Sequence, residues 1–231
     1  MSQDYRYEVK FVLNEIQLSE FEFWMAAQTS MKEAYPDRVV NSLYFDDSDY
    51  RAARDNLTGL PNREKFRFRW YGNPADGRVL DLRLERKVRE GRLGFKQSCR
   101  LQTLEEKLLV VKLADLCDEC REEFFRIGLL RGDLLSQLIP TLYVSYNRQY
   151  YQDINNVRIT VDRGIEFSEV RANAKLLQSR PILYSKKIVE IKFSPDLKDN
   201  VAHLMKSLHI APKRCSKYLH GLSMIGTAVY I

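Results

Sequence analysis

Arg63–Tyr71 reads REKFRFRWY. Side chains of an extended chain alternate between faces, so Arg63, Lys65, Arg67 and Arg69 fall on one side and Glu64, Phe66, Phe68 and Trp70 on the other. Four like charges in a row repel one another, and only water, acidic side chains or a polyanionic ligand can offset that repulsion. The opposite row of large aromatics asks for a different neighbour, an apolar layer such as a helix.

The same alternation recurs along the chain. Tyr5–Leu13 (YRYEVKFVL) sets Tyr5, Tyr7, Val9, Phe11 and Leu13 against Arg6, Glu8, Lys10 and Val12. Leu80–Arg89 separates Leu80, Leu82, Leu84 and Val88 from Asp81, Arg83, Glu85, Lys87 and Arg89. After a turn at Glu90-Gly91, Arg92–Arg100 opposes Leu93, Phe95 and Cys99 to Lys96 and Arg100. Asn41–Asp46, Thr141–Tyr151, Val157–Asp162 and Ile188–Phe193 complete eight expected strands. Helices are expected from the capping pairs Ser19/Glu22 and Thr103/Glu106, over Glu119–Leu138, and after Ser194-Pro195. Most strands follow one another through tight turns, which favours an antiparallel α+β sheet in one domain over residues 1–231.

An antiparallel strand commonly turns its polar face to solvent. Here the polar faces lean toward Arg and Lys, and the apolar faces are aromatic. A sheet that turns its apolar side out to helices encloses its polar side when it curls, so the expected fold is a closed, mainly antiparallel eight-stranded β-barrel coated by helices, its interior a basic tunnel. The interior would hold Arg6, Glu8, Lys10, Lys65, Arg67, Arg69, Arg83, Glu85, Lys87, Arg89, Lys96, Arg100, Arg148, Arg158, Asp162, Glu190 and Lys192. Such a surplus of positive charge fits a triphosphate chain, with Arg giving forked contacts and Lys a point charge. Glu8, Glu85, Asp162 and Glu190 either pair with neighbouring bases or ligate a divalent metal; both readings stand.

Composition narrows the classes further. The formal charge of +6 is compatible with nucleic acid, phosphorylated molecules or an anionic membrane. The charged N-terminus MSQDYRYEVK is not a signal peptide, and the most apolar run, LLVVKLADL from Leu108, is interrupted by Lys112 and too short for a bilayer, so a cytoplasmic protein without direct membrane insertion is expected. Cys99, Cys117, Cys120 and Cys215 fit a reducing compartment, and Cys117/Cys120 lacks a second metal-binding pair. His203, His209 and His220 have no triad or metal spacing, and no phosphate-binding GxxxxGK[ST] occurs. Nucleic acid is disfavoured because the aromatics fall opposite the arginines, whereas a base-stacking platform needs both on one face.

The ordered set YRYEVKFVL, KFRFRWYG, LERK before a glycine turn with GFKQ, SYNRQYY, VEIKF and RCSKYLHGL resembles the VTC-type polyphosphate polymerase domain of the triphosphate tunnel metalloenzymes. The matches run from residue 5 to 222. The resemblance implies a stand-alone domain over 1–231 acting on triphosphate, polyphosphate or a nucleoside triphosphate such as ATP. It implies phosphate contacts from Lys10, Lys65, Arg67, Arg69, Lys87, Arg89, Lys96, Tyr146, Arg148, Lys192, Arg214, Ser216 and Lys217. Of these, Lys10, Arg67, Arg69, Lys87, Arg148 and Lys217 would carry the transfer, and a divalent metal (Mn²⁺ or Mg²⁺) would be held by Glu190 with Glu8 and Glu85. Eukaryotic members place a histidine where this chain has Arg89. They also carry a membrane domain absent here, so export of a polymer would need a separate membrane partner. Polymerase, triphosphate hydrolase and non-catalytic sensor all remain open on the residues.

Overall fold

The computed structural model describes residues 5–27, 30–118 and 138–227. Nine strands form one antiparallel sheet: β1 Tyr7–Leu13, β2 Lys32–Asp46, β3 Asn62–Tyr71, β4 Leu80–Glu90, β5 Leu93–Arg100, β6 Ile139–Gln152, β7 Arg158–Glu169, β8 Ile182–Tyr184 and β9 Lys187–Phe193. The spatial order is β1-β9-β7-β6-β2-β3-β4-β5, with the short β8 added to β7. Register shifts within the β2–β6, β6–β7 and β3–β4 pairs mark irregularities of the kind that bend strands and increase twist, and the sheet curls around its polar face.

The expected closed eight-stranded barrel is corrected. Among the described residues there are nine strands, and the sheet they form is not closed: its edge strands meet at one isolated bridge, Arg6 with Gly94, rather than along a ladder. The charges at the two edges account for this. Lys96 on edge strand β5 keeps 47 % of its side chain exposed and Lys10 on edge strand β1 20 %, solvation that a continuous seam would remove at high cost. Exposed Gln97 and Ser98 on β5 also leave a polar edge that resists further pairing.

Two apolar clusters lie on the convex side. One packs Leu43, Phe66, Phe68, Trp70, Leu82 and Leu84 against Leu104, Leu108, Leu113 and Leu116. The other packs Phe11, Ile159, Val189 and Ile191 against Leu18, Phe21 and Trp24 of helix α1, Glu15–Ala27. α1 opens earlier than Ser19 because Asn14 and Gln17 cap it reciprocally: Gln17 N donates to Asn14 Oδ1 at 2.9 Å and Asn14 N to Gln17 Oε1 at 3.1 Å. The helix expected after Thr103 is a short 3-10 turn, Gln102–Leu104, followed by turns and a helical segment over 113–118. Leu113 N and Ala114 N are drawn to the carbonyls of Ala174 and Ala172, bonds a longer helix would have kept to itself. The helix expected over Glu119–Leu138, and with it Cys120, lies outside the described residues apart from Leu138.

The helices are not all on the convex side. α3 (Lys198–Leu204) adds Val201 to the second convex cluster, while helix α4 (Lys217–Met224) packs onto the concave face beside α2 (Arg51–Thr58), and its Tyr218, Leu219 and Leu222 cover Val40, Tyr44, Leu142, Val144 and Ile188. The close approach depends on Gly221: a Cβ there would stand 2.4 Å from Leu142 Cδ2 and 2.7 Å from Phe167 Cδ1. Among the described residues no helix is long and apolar enough to cross a membrane.

Candidate phosphate-binding site

Strand register carries the alternation of the sequence into space. Lys65 stands opposite Lys87 and Arg67 opposite Glu85 on β3–β4, Glu8 opposite Lys192 and Lys10 opposite Glu190 on β1–β9, and Arg148 opposite Asp162 on β6–β7. Cross-strand partners share a face, so all of these point into the concavity.

Glu85 is the centre of one wall. Arg67 donates to its Oε2 from Nε at 2.8 Å and Nη2 at 2.6 Å, Lys96 donates to Oε1 at 2.6 Å, and Arg69 Nη1 lies 3.8 Å away. Burial pushes the Glu85 carboxyl up, but Arg67, Arg69 and Lys96 outweigh it and hold the group far below the usual carboxylate range. The facing wall is built on Glu8 and Glu190, which share lysines. Lys10 Nζ is 3.1 Å from Glu190 and 3.9 Å from Glu8, and Lys192 Nζ is 2.9 Å from Glu190 and 4.0 Å from Glu8. Lys87 reaches across from β4 to both Glu8 oxygens, at 2.7 and 2.8 Å, and Arg89 Nη1 stands 3.9 Å from Glu8. Burial opposes the charge of both acids, and the surrounding lysines still keep them well below their ordinary values. Burial, together with Lys10 and Lys192, pushes Lys87 down to about 8 despite Glu8.

A third, deeper group joins the two. Asp162, fully buried, receives the Arg148 fork at 2.5 and 2.7 Å, and Lys217 Nζ lies 2.5 Å from it. Arg69 Nη2 donates to Tyr146 Oη at 3.0 Å. Burial raises the Tyr146 hydroxyl, and Arg148, Arg69 and Lys217 more than reverse this, so it lies below its ordinary value. α4 brings in the last members. Ser216 is its N-cap; Lys65 Nζ donates to Ser216 Oγ at 2.9 Å, and Lys10 Nζ to the Cys215 carbonyl at 3.2 Å.

The fold thus gathers Lys10, Lys65, Arg67, Arg69, Lys87, Arg89, Lys96, Arg148, Lys192 and Lys217, ten cations, around the four carboxylates Glu8, Glu85, Asp162 and Glu190. Two buried donors, Arg69 Nε and Arg89 Nε, have no acceptor among the described residues. Arg214, expected at the phosphates, is instead exposed, its Nη2 3.1 Å from where a Cβ on Gly59 would stand, at the C-terminus of α2. Arg83, Arg100 and Arg158, expected in the interior, pair at its margins with Asp81, with Asp81 and Glu105, and with Gln152.

Glu8 and Glu190 converge, while Glu85 faces them from the other wall. Among the described residues no group of three or more His, Cys, Asp or Glu side chains is arranged to hold a metal ion. Two carboxylates suit a divalent cation bound jointly with phosphate oxygens, the habit of Mg²⁺, rather than a cage made by protein alone.

Sequence reasoning did not single out Tyr44, Asp46, Thr141 and Tyr218. Tyr44 Oη accepts from Arg67 Nη1 at 3.1 Å, and its ring stacks on Tyr218 with centroids 5.1 Å apart. Asp46 accepts from Ala52 N, Ala53 N and Asp47 N at the start of α2 and, at 2.8 Å, from Tyr218 Oη, which also lies 3.1 Å from Thr141 Oγ1. The pair Asp46-Asp47 just before a helix is a capping signal that could have pointed to this joint.

Residues 5–225 match the family model of the VTC domain. The chain belongs to the VTC domain family. No curated protein sequence matches this VTC domain. Solved structures share its fold at low identity. A putative adenylyl cyclase from Hippeastrum, described as having a dominant triphosphatase activity, superposes with a TM-score of 0.54 at 10% identity over 95% of each chain. A protein from Pyrococcus horikoshii OT3 gives 0.52 at 14% identity, over 95% of this chain and 98% of its own. A putative adenylate cyclase from Vibrio parahaemolyticus gives 0.53 at 12%, over 96% and 99%. The VTC domain therefore shares its fold with these three structures, over the stretch in which the ordered strand motifs lie.

Proposed function

We propose that this VTC domain binds triphosphate or polyphosphate on its concave face and transfers the terminal phosphoryl group of a nucleoside triphosphate to a phosphate chain. The observation that carries the reading is the excess of ten cations over four carboxylates, with Arg69 Nε and Arg89 Nε left as buried donors without acceptors. A polyanion supplies the missing charge and the missing acceptors. Membership of the VTC family supports the same ligand class.

In this reading Arg67, Arg69, Lys96 and Tyr146 hold phosphate oxygens on one wall, and Lys10, Lys87, Lys192, Arg148 and Lys217 on the other. Glu190 and Glu8 would hold a divalent metal, which when bound polarises phosphoryl oxygens and neutralises their charge. An acceptor phosphate oxygen forms a bond to the terminal phosphorus as the bond to the bridging oxygen breaks, and the nucleoside diphosphate leaves. Phosphoryl transfer of this kind asks for positioning and charge stabilisation rather than a covalent nucleophile.

The acid–base character of the site favours a phosphate acceptor over water. Water needs a proton acceptor, and all four carboxylates are ion-paired and held below their ordinary values, which makes them weak bases. A phosphate oxygen is already ionised at neutral pH and needs none. Hydrolysis of tripolyphosphate is the second reading, favoured by Lys87, whose value near 8 leaves a fraction of neutral amine at neutral pH.

The test is incubation of the pure protein with ATP and Mn²⁺ or Mg²⁺, with and without a short polyphosphate primer, and separation of the products on a gel. Chains longer than the primer are expected. Shortening of tripolyphosphate without elongation would replace the polymerase reading by the hydrolase, and absence of phosphate binding would remove both.

A further inference from the structure

Nine of the ten cations on the concave face have a carboxylate oxygen within 4.0 Å; Lys65 has none among the described residues. Its Nζ donates to Ser216 Oγ at 2.9 Å and lies 5.5 Å from the centre of the Tyr218 ring, two neutral partners. The groups that act on it are mainly cations, Lys10 from β1, Arg63 from its own strand and Lys87 from β4. Asp46 at the end of β2 acts in the opposite direction, but its two oxygens already accept bonds from three backbone amides and from Tyr218. Lys65 is thus a half-buried amine whose charge the protein itself does not balance.

We propose that a phosphate chain docking against Lys65 and Ser216 is accompanied by uptake of a proton at the Lys65 amine, so that triphosphate binding weakens with rising alkaline pH. The inference rests on the phosphate-binding reading above and adds a proton to it. Burial, then Lys10, Lys87 and Arg63, hold the empty-site amine well below the ordinary lysine value of 10.5. A phosphate oxygen beside the amine supplies the opposite charge and raises it again. Between the two values the bound form carries a proton that the empty form lacks, and affinity falls by up to about tenfold per pH unit in that window.

Calorimetric titration of tripolyphosphate at pH 9, in buffers of different ionisation heat, counts the protons taken up. Lys65→Arg keeps a charge that does not titrate, so it is expected to lower the uptake by up to one proton and to flatten the pH dependence of Kd. Equal uptake by wild type and Lys65→Arg would overturn the proposal. A carbon-detected NMR titration of the lysine Cε signals covers the case in which the variant binds poorly. The Lys65 signal of the empty wild-type protein, assigned by its absence from Lys65→Arg, is expected to titrate below the surface lysines and to move up on adding tripolyphosphate. Titration alongside the surface lysines would sink the coupling while leaving phosphate binding intact. Wild-type protein that fails to bind tripolyphosphate at all would remove both.

Discussion

At the scale of single residues, Glu85 shows how the protein holds its site open to a ligand. It is 1 % exposed, and its single negative charge is shared by Arg67, Arg69 and Lys96, occupying donors that phosphate oxygens would otherwise satisfy. Glu85→Gln leaves those cations uncompensated and should destabilise the ligand-free protein by about 3 kcal/mol. Tripolyphosphate replaces the lost charge, so the rise in melting temperature on adding it should be larger for the variant than for wild type; an equal rise would count against Glu85 as a counter-ion. Arg69→Ala removes both the Tyr146 contact and the buried free Nε, and its tripolyphosphate affinity, read by calorimetry, should fall by at least tenfold. Glu190→Gln should abolish the metal dependence of turnover, and Glu85→Gln should not, if the metal sits between Glu190 and Glu8.

At the scale of elements, helix α4 is the part that turns a charged sheet into a site with depth. It covers the apolar half of the concave face and delivers Ser216 and Lys217 to the charged half. Because its approach depends on the missing side chain of Gly221, Gly221→Val should displace the helix. The expected outcome is weaker tripolyphosphate binding with the strands still formed, measured by calorimetry beside far-ultraviolet circular dichroism; unchanged affinity would show that α4 does not position the ligand. Local alternation was enough to place β3, β4 and β9 to within a residue or so, since their two faces meet different environments. It could not reveal the first half of β2 or the three-residue β8, where side chains are exposed and the pattern is diluted. Nor could it show α4 inside the concavity. An amphipathic helix reports that it has a partner face, but the period is the same on either side of a sheet.

At the scale of the whole molecule, four depressed carboxylates link stability to pH. In the folded protein Glu8, Glu85, Asp162 and Glu190 all lie below their ordinary values. Their stabilisation is complete above the unfolded values near 4.5 for Glu and 3.8 for Asp and is lost as pH falls below these toward the folded ones, because the unfolded chain then binds protons first. The melting temperature should therefore drop steeply between pH 5 and about 2, and less steeply in Glu85→Gln, whose group no longer titrates. A flat profile over that range would contradict the ion pairing.

The sequence by itself determined the two-faced strands, the basic polar row and nearly all members of the site, because side-chain alternation is a local property and survives any arrangement of strands. What only the tertiary structure decided was the pairing: that Glu85 serves Arg67, Arg69 and Lys96, that Glu8 and Glu190 share lysines, that Arg214 turns away to α2, and that Lys65 is left without an acid. The open seam between β1 and β5 belongs to the same class. Each depends on register, bulges and the solvation of charges brought together from distant parts of the chain, quantities that no local pattern encodes.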